Sequence, residues 1–521
     1  MERITTAALT YLNQLPTPWQ WLTKDNDVTH DAELEIEALG RIRGKKFTFA
    51  NGRRVAAYLG VPYAKAGGFQ DRFKKPTPVE PWTDVRDCTQ FGPLGQDEQN
   101  CLHMNIFVPE NGKKDMPVMV FHSSWSPSVY IHGGGFLIHS SANYGDRQIC
   151  RNLCAHDVIV CVVQYRLGLL GFLSTGTKEC PGNFGLWDLR EALLFIRDRI
   201  HNFGGDGANI TALPGGACCD LLSLSPKCEG LLKRVVLMGG NAASDWAVVS
   251  PQRTINAAVE VAKRQGWKGD PKDHEDLLRF LRQLTPHRCK AAIVGKSAFD
   301  RKKKGLDLCP VIDGDFLPLP VHELRKRASP ITALIGTTDF ESLLFVALGR
   351  SQSDLASFEK TLALHIPEGI PESEELREEG PPVAYSDCLM NNCTHRYVEE
   401  MCSRHTVYCY NITYCNPNSF GLFALRAPFV AATHCQDLRY LFGKGMFAKF
   451  RPNDDDLKVL DYMTTMWTNF AKTGNPNYDP SIEFSSTTTR GRRAEFWKKL
   501  DAYREADPND LGLDTGPVEL D

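Results

Sequence analysis

The chain has no run of about twenty apolar residues, so nothing in it reads as a membrane-spanning helix. Its most apolar stretch, Val158 to Leu173, is interrupted by Gln164, Tyr165 and Arg166 and reads as a buried strand followed by a turn. An excess of one charge is also missing. Sixty Lys and Arg stand against 63 Asp and Glu, for a net charge of −3. That balance argues against nucleic acid or an anionic membrane surface as a partner. Residues 1–12 lack the basic start, long apolar stretch and small-residue cleavage site of a secretory signal. Residues 517–521 match neither a lipid anchor nor a retention signal. The expectation from these ends is a cytoplasmic protein. Metal-site spacing is absent as well. The 17 cysteines are dispersed, and neither Cys150/Cys154 nor Cys388/Cys393 has His or Cys partners at zinc spacing. No metal and no organic cofactor is expected. An odd count leaves at least one thiol unpaired. Asn209-Ile-Thr, Asn392-Cys-Thr and Asn411-Ile-Thr fit the glycosylation pattern, which acts only on a secreted chain.

There are no internal repeats. A length of 521 residues suggests two or three domains, but large α/β folds with insertions run as one unit. Residues 33–64 alternate apolar and polar positions with a turn at Asn51-Gly52, which predicts an N-terminal antiparallel region. From about 117 onward, apolar segments alternate with helical ones: 158–164, 185–203, 209–213, 218–224 and 234–238. That alternation predicts a mostly parallel sheet covered on both faces. Residues 251–300 and 350–405 read as helical insertions, and 371–382 and 301–304 as solvated charged surface. The division expected is an extension over 1–32, one α/β domain over 33–500 and a tail over 501–521.

Three separated pieces carry chemistry. Tyr130-Ile-His-Gly-Gly-Gly-Phe136 follows an apolar strand, and its glycines can expose backbone N–H groups to a developing oxyanion. Ala333-Leu-Ile-Gly-Thr-Thr-Asp-Phe-Glu341 ends a strand on a carboxylate that can orient an imidazole, with Asp339 as a competing candidate. His434 stands in a loop before a helix and can accept and return a proton near neutral pH. Alone, Glu341 reads more readily as a loop acid and His434 as a structural histidine, whereas the glycine motif favours the oxyanion reading over a plain turn.

Together they resemble the type-B carboxylesterases and cholinesterases, and the nematode members in particular. Further matches are Val61-Pro-Tyr-Ala-Lys65, Asn100-Cys-Leu-His-Met-Asn-Ile-Phe107, Val163-Gln-Tyr-Arg-Leu-Gly-Leu-Leu-Gly-Phe172, Gly182-Asn-Phe-Gly-Leu-Trp-Asp188, Phe203-Gly-Gly-Asp206 and Leu221-Leu-Ser-Leu-Ser-Pro226. The resemblance covers about residues 35–500. It implies an α/β-hydrolase fold and a small-molecule carboxylic ester as substrate or ligand. It also implies Glu341 as triad acid, His434 as triad base, oxyanion N–H groups on Gly134 and Gly135, and a disulfide between Cys88 and Cys101.

The sequence departs from that family twice. The nucleophile motif G-x-S-x-G belongs between the strand 209–213 and the helix 218–222. Only Pro214-Gly-Gly-Ala217 stands there, about three residues short and without the serine. Counting from the strand puts Gly216 at the serine position; counting from the helix puts Leu213 there. Cys218 and Cys219 are the nearest competent nucleophiles, but their place in the helix predicts sulfurs turned into packing. The second departure is a nine-residue insert, Phe121–Val129, before the glycine motif. Three readings follow: a carboxylesterase-like chain that is inactive as written, an active serine esterase whose sequence is mis-assembled at 121–129 and 212–217, or a non-catalytic soluble binding protein.

Overall fold

A computed structural model describes residues 28–68, 71–93, 101–122, 136, 140–213, 215–285, 288, 306–348, 381–425, 427, 429–443 and 450–477. The charged stretch 301–304, nearly all of 371–382 and the glycines at 134 and 135 lie outside these residues. Ten strands form the main path of one sheet. They are β1 (Val28–Ile36), β2 (Gly40–Thr48), β3 (Arg54–Pro62), β4 (His103–Pro109), β5 (Met116–His122), β6 (Ile159–Val163), β7 (Gly205–Leu213), β8 (Arg234–Met238), β9 (Thr332–Thr338) and β10 (Val407–Ile412). Their spatial order is β1-β2-β3-β4-β6-β5-β7-β8-β9-β10, and a two-residue strand, Arg86–Asp87, pairs with β2.

The first four strands and the β4–β6 pair are antiparallel, whereas β6, β5, β7, β8, β9 and β10 run parallel. The expected antiparallel entry into a parallel sheet is therefore present. β1 begins at Val28, so residues 28–32, expected in the N-terminal extension, are part of the sheet.

The apolar runs read from the sequence arise because the central strands are buried on both faces. Along β5, Val118 and Val120 enter one core cluster, and Met119 and Phe121 enter the cluster on the other face. Phe121 and His122 thus belong to the strand, pairing with Val162 and Val163 of β6. The insert expected to begin at 121 begins after 122. The physical reason is that Phe121 buries its ring against Phe442, with centroids 4.8 Å apart.

Helices cover both faces. They include α1 (Arg147–Asn152), α2 (Phe184–Arg199), α3 (Gly216–Leu224), α4 (Pro251–Arg264), α5 (His274–Gln283), α6 (Val321–Arg327), α7 (Asn392–Met401) and α8 (Asp454–Thr473). In α2, Leu186, Leu189, Leu193 and Ile196 recur at three- and four-residue intervals and are all buried. A capping box starts α8: Asn453 accepts from Asp456 N–H and Asp456 accepts from Asn453 N–H. Gly474, in the left-handed region at φ 83°, ends it. The expected helical insertions appear as α4, α5 and α7. Among the described residues, no helix is long and apolar enough to cross a membrane, and no group of His, Cys, Asp and Glu could hold a metal ion.

One buried ion pair ties α2 to the strand-to-helix connection after β6. Arg166 donates to Asp188 through Nε at 2.8 Å and Nη2 at 2.6 Å, and Asp188 also accepts from the Arg166 backbone N–H at 3.0 Å. Asp188 is wholly buried. Removing it would leave the Arg166 guanidinium buried and uncompensated, a loss in the range of about 3–5 kcal/mol. Asp188→Ala is expected to lower the unfolding free energy by about that amount in a denaturant titration. A loss below about 1 kcal/mol would contradict this account of the pair.

Candidate active site

The parallel strands include ones ending at His122, Leu213, Met238 and Thr338, and the chain after the last two meets the loop that precedes the short helix Leu438–Phe442. Glu341 follows β9 by three residues. Its Oε1 accepts the backbone N–H of Thr338 at 2.6 Å, so the carboxylate is folded back over the strand end. Its Oε2 lies 2.5 Å from His434 Nδ1. Glu341 and His434 are both buried, at 1% and 7% exposure, so water does not compete for this contact. An ionised carboxylate accepts only, so Nδ1 carries the hydrogen in this contact.

Further bonds join the two loops. Phe340 N–H donates to Ala432 O at 2.9 Å, and Leu344 N–H donates to Thr433 Oγ1 at 2.8 Å. Cys435, next to the histidine, sits at φ 63°, a left-handed conformation that costs a non-glycine residue energy and turns the chain directly behind the imidazole. Phe345 packs its ring 5.6 Å from that of His434. Asp437 caps the following helix through Leu438 N–H at 2.9 Å. Burial, helped by the negative charge of Glu341, pushes its carboxyl up to about 7. Sequence reading singled out neither Cys435 nor Asp437. Asp339, the competing acid, instead accepts from Asn411 Nδ2 at 2.8 Å and lies away from the imidazole contact.

His434 rests on the end of β8. A Cβ added to Gly239, whose φ is 61°, would come within 2.8 Å of His434 Nδ1 and Cε1. The next residue, Gly240, contacts α3: a Cβ added to Gly216 would meet Gly240 O at 1.9 Å. The place read from the strand as the serine position therefore has no room for a side chain, and its side-chain direction points into backbone. A nucleophile elbow is a strained turn that lifts its serine above the sheet. Among the described residues from Gly205 to Glu229, none has positive φ. Gly215 has φ −59° and pairs with Met238, and its carbonyl accepts the first helical N–H, from Cys219 at 2.9 Å. The short connection draws the helix straight onto the strand end.

The two cysteines of α3 are buried, as their helical position implied. Burial pushes the Cys218 thiol up to about 12 and the Cys219 thiol well above its ordinary range. Cys219 Sγ lies 3.0 Å from Nε2 of His122, a contact the sequence did not reveal because His122 was assigned to the insert. Burial pushes the His122 imidazole down to about 4. Both shifts disfavour a thiolate–imidazolium pair. The contact is a neutral hydrogen bond that closes the core under α3.

Phe136, next along the chain from the glycine motif, is buried at φ 61°, between Phe172 at 5.1 Å and Trp246 at 6.2 Å. Trp246 and Met390 in turn close on Gly240. Gly134 and Gly135 lie outside the described residues, so their N–H groups are not located. Cys88 and Cys101 are both buried, but no disulfide joins them. Cys88 is instead held in the sheet through its backbone, which exchanges bonds with Arg43 and Leu59, and burial pushes its thiol up to about 12.

The Carboxylesterase family model matches residues 30–367 and 372–510. Esterase cest-33 of Caenorhabditis elegans is 33% identical over 91% of this chain and 89% of its own length. Bile salt-activated lipase of Bos taurus is 29% identical over 82% of this chain and 76% of its own length. Acetylcholinesterase of Bungarus fasciatus is 27% identical over 97% of this chain and 88% of its own. Among solved structures, juvenile hormone esterase from Manduca sexta, with OTFP covalently attached, superposes with a TM-score of 0.74 at 24% identity, covering 91% of this chain and all of that one. The last comparison concerns the fold, an α/β-hydrolase sheet. With the family model spanning nearly the whole chain and the nematode esterase above 30% identity, the chain belongs to the carboxylesterase family.

Proposed function

We propose that the chain as written binds a small carboxylic ester or related acyl compound in an esterase site but does not form an acyl-enzyme. In this reading Glu341 and His434 are the retained acid and base of a triad, and Gly134 and Gly135 are the retained oxyanion donors. The observation that supports it is the filled space at Gly216, where a side-chain atom would overlap Gly240 O at 1.9 Å. His434 Nε2 can take a proton from a hydroxyl, and Glu341 can stabilise the resulting imidazolium. No serine follows the strand to offer that hydroxyl. The same reading leaves Cys88 and Cys101 as buried thiols rather than a disulfide.

A second reading is favoured by the intact 2.5 Å contact between Glu341 and His434. A binding protein does not need that pair. Here the natural message encodes a serine between Leu213 and Ala217, and both departures come from misplaced exon boundaries. Sequencing the transcript across codons 115–135 and 205–225 separates the two.

For protein of the given sequence, hydrolysis of p-nitrophenyl butyrate is expected about 10⁶-fold below that of a serine-bearing relative. His434→Ala is expected to leave the residual rate within about twofold, because a base without its nucleophile contributes little. A tenfold drop in the residual rate would show that His434 still activates an attacking group. A fluorophosphonate probe is expected to leave the protein unlabelled, and iodoacetamide to leave Cys218 and Cys219 unmodified in the native state. Adduct at either cysteine in a peptide map would overturn the reading.

Gly216→Ser is expected to restore neither turnover nor probe labelling, and to lower the melting temperature, because its Cβ displaces the Gly240 carbonyl. Labelling of that variant at the introduced hydroxyl would mean that the helix start relaxes enough to rebuild an elbow, and the steric account would fail.

A further inference from the structure

A cleft of about 670 Å³ opens at the end of the sheet opposite the Glu341–His434 pair. Its walls are the β2–β3 turn, the residues after β4, and α1 with the turn that follows it. β4 runs antiparallel to β6, so Pro109 lies beside the start of β6 rather than beside the strand ends that carry the site. That volume falls in the range of about 300–1,000 Å³ typical of small-molecule sites.

Four arginines line the cleft: Arg53, Arg54, Arg147 and Arg151. Two carboxylates line it as well, Glu110 and Asp157, but each has a lysine of its own. Lys46 lies 3.3 Å from Glu110, and Lys113 lies 2.6 Å from Asp157. Asp146, at the start of α1, is paired with Lys45 at 3.3 Å. Arg54 shares Glu110 only at 3.6 Å, with its own side chain more than half exposed. Among the described residues, the carboxylates lining the cleft are matched by lysines, so Arg53 and Arg151 give it a surplus of positive charge.

The placement of these groups carries a cost. Arg147 and Arg151 are four residues apart on one helix, where like charges repel. Arg53 is held toward them, since its Nη1 donates to Ala155 O at 3.0 Å. Arg147 lies 5.9 Å from the ring of Phe49 at the cleft wall. Guanidinium groups present paired N–H donors that match the oxygens of a phosphoryl group. An anion of several oxygens in the cleft would offset the repulsion and accept from several of these donors together.

We propose that this cleft binds a phosphoryl-bearing small molecule, at a site separate from the esterase centre. The test is calorimetric titration of the full chain with sodium pyrophosphate and with adenosine monophosphate, each against sodium chloride at matched ionic strength. Saturable binding of either phosphate is expected, weakened at least tenfold in Arg53→Gln/Arg151→Gln and unchanged in Arg41→Gln, at the other end of β2. Binding of the nucleotide assigns the cleft to organic phosphates, and binding of pyrophosphate alone assigns it to the free anion. The double variant, relieved of repulsion, is expected to melt no lower than the parent without ligand. Heats no larger than those of sodium chloride, or equal affinity in the parent and the double variant, would overturn the proposal.

Discussion

The packing of Gly216 against the carbonyl of Gly240 governs the chemistry available at the strand ends. Leu213 closes β7 and Gly216 opens α3, and only two residues connect them. A turn of that length cannot rise above the sheet, so the helix begins at the strand's own level and its first residue meets the neighbouring strand's exit. Gly216 tolerates the contact because it has no Cβ. The same contact denies a side chain to the position where the fold would present one. Chain length, rather than the identity of one residue, sets the limit.

The acid–base pair does not depend on that turn. Glu341 is held by the end of β9 and His434 by a loop more than ninety residues later, and the bonds from Phe340 to Ala432 and from Leu344 to Thr433 join them directly. The imidazole leans on Gly239, one residue before the carbonyl that blocks Gly216. The short connection between β7 and α3 therefore leaves the 2.5 Å contact between Glu341 and His434 standing.

Much of the fold was legible because strands buried on both faces must be apolar throughout, and β6, β7 and β8 fall within a few residues of the segments read from the sequence. Glu341 and His434 were singled out only through the resemblance to a family, and the structure brings their side chains into contact. Three features were not legible. His122 looked like the first part of an insert because a histidine at a strand end breaks the apolar run, and only its burial beside Cys219 identifies it as core. The missing room at Gly216 depends on a backbone oxygen from another strand, which no local pattern encodes. The arginine cleft joins residues 49–55 to residues 147–157 across about a hundred positions, and it is hidden in a chain whose summed charge is near neutral.

The thiols of α3 are held in their neutral form. A cysteine becomes a nucleophile as its thiolate, and a site that favours the thiolate supplies positive charge or water. Cys219 has neither. Its one imidazole partner is itself buried and held neutral, and Asp220 beside it adds negative charge that opposes ionisation further. Forming the ion pair would put two charges in an apolar core, where their mutual attraction rarely offsets the desolvation of both. The contact therefore favours the neutral pair. In the proposed reading, a side chain at Gly216 can come free only if the turn between β7 and α3 grows long enough to lift it clear of Gly240.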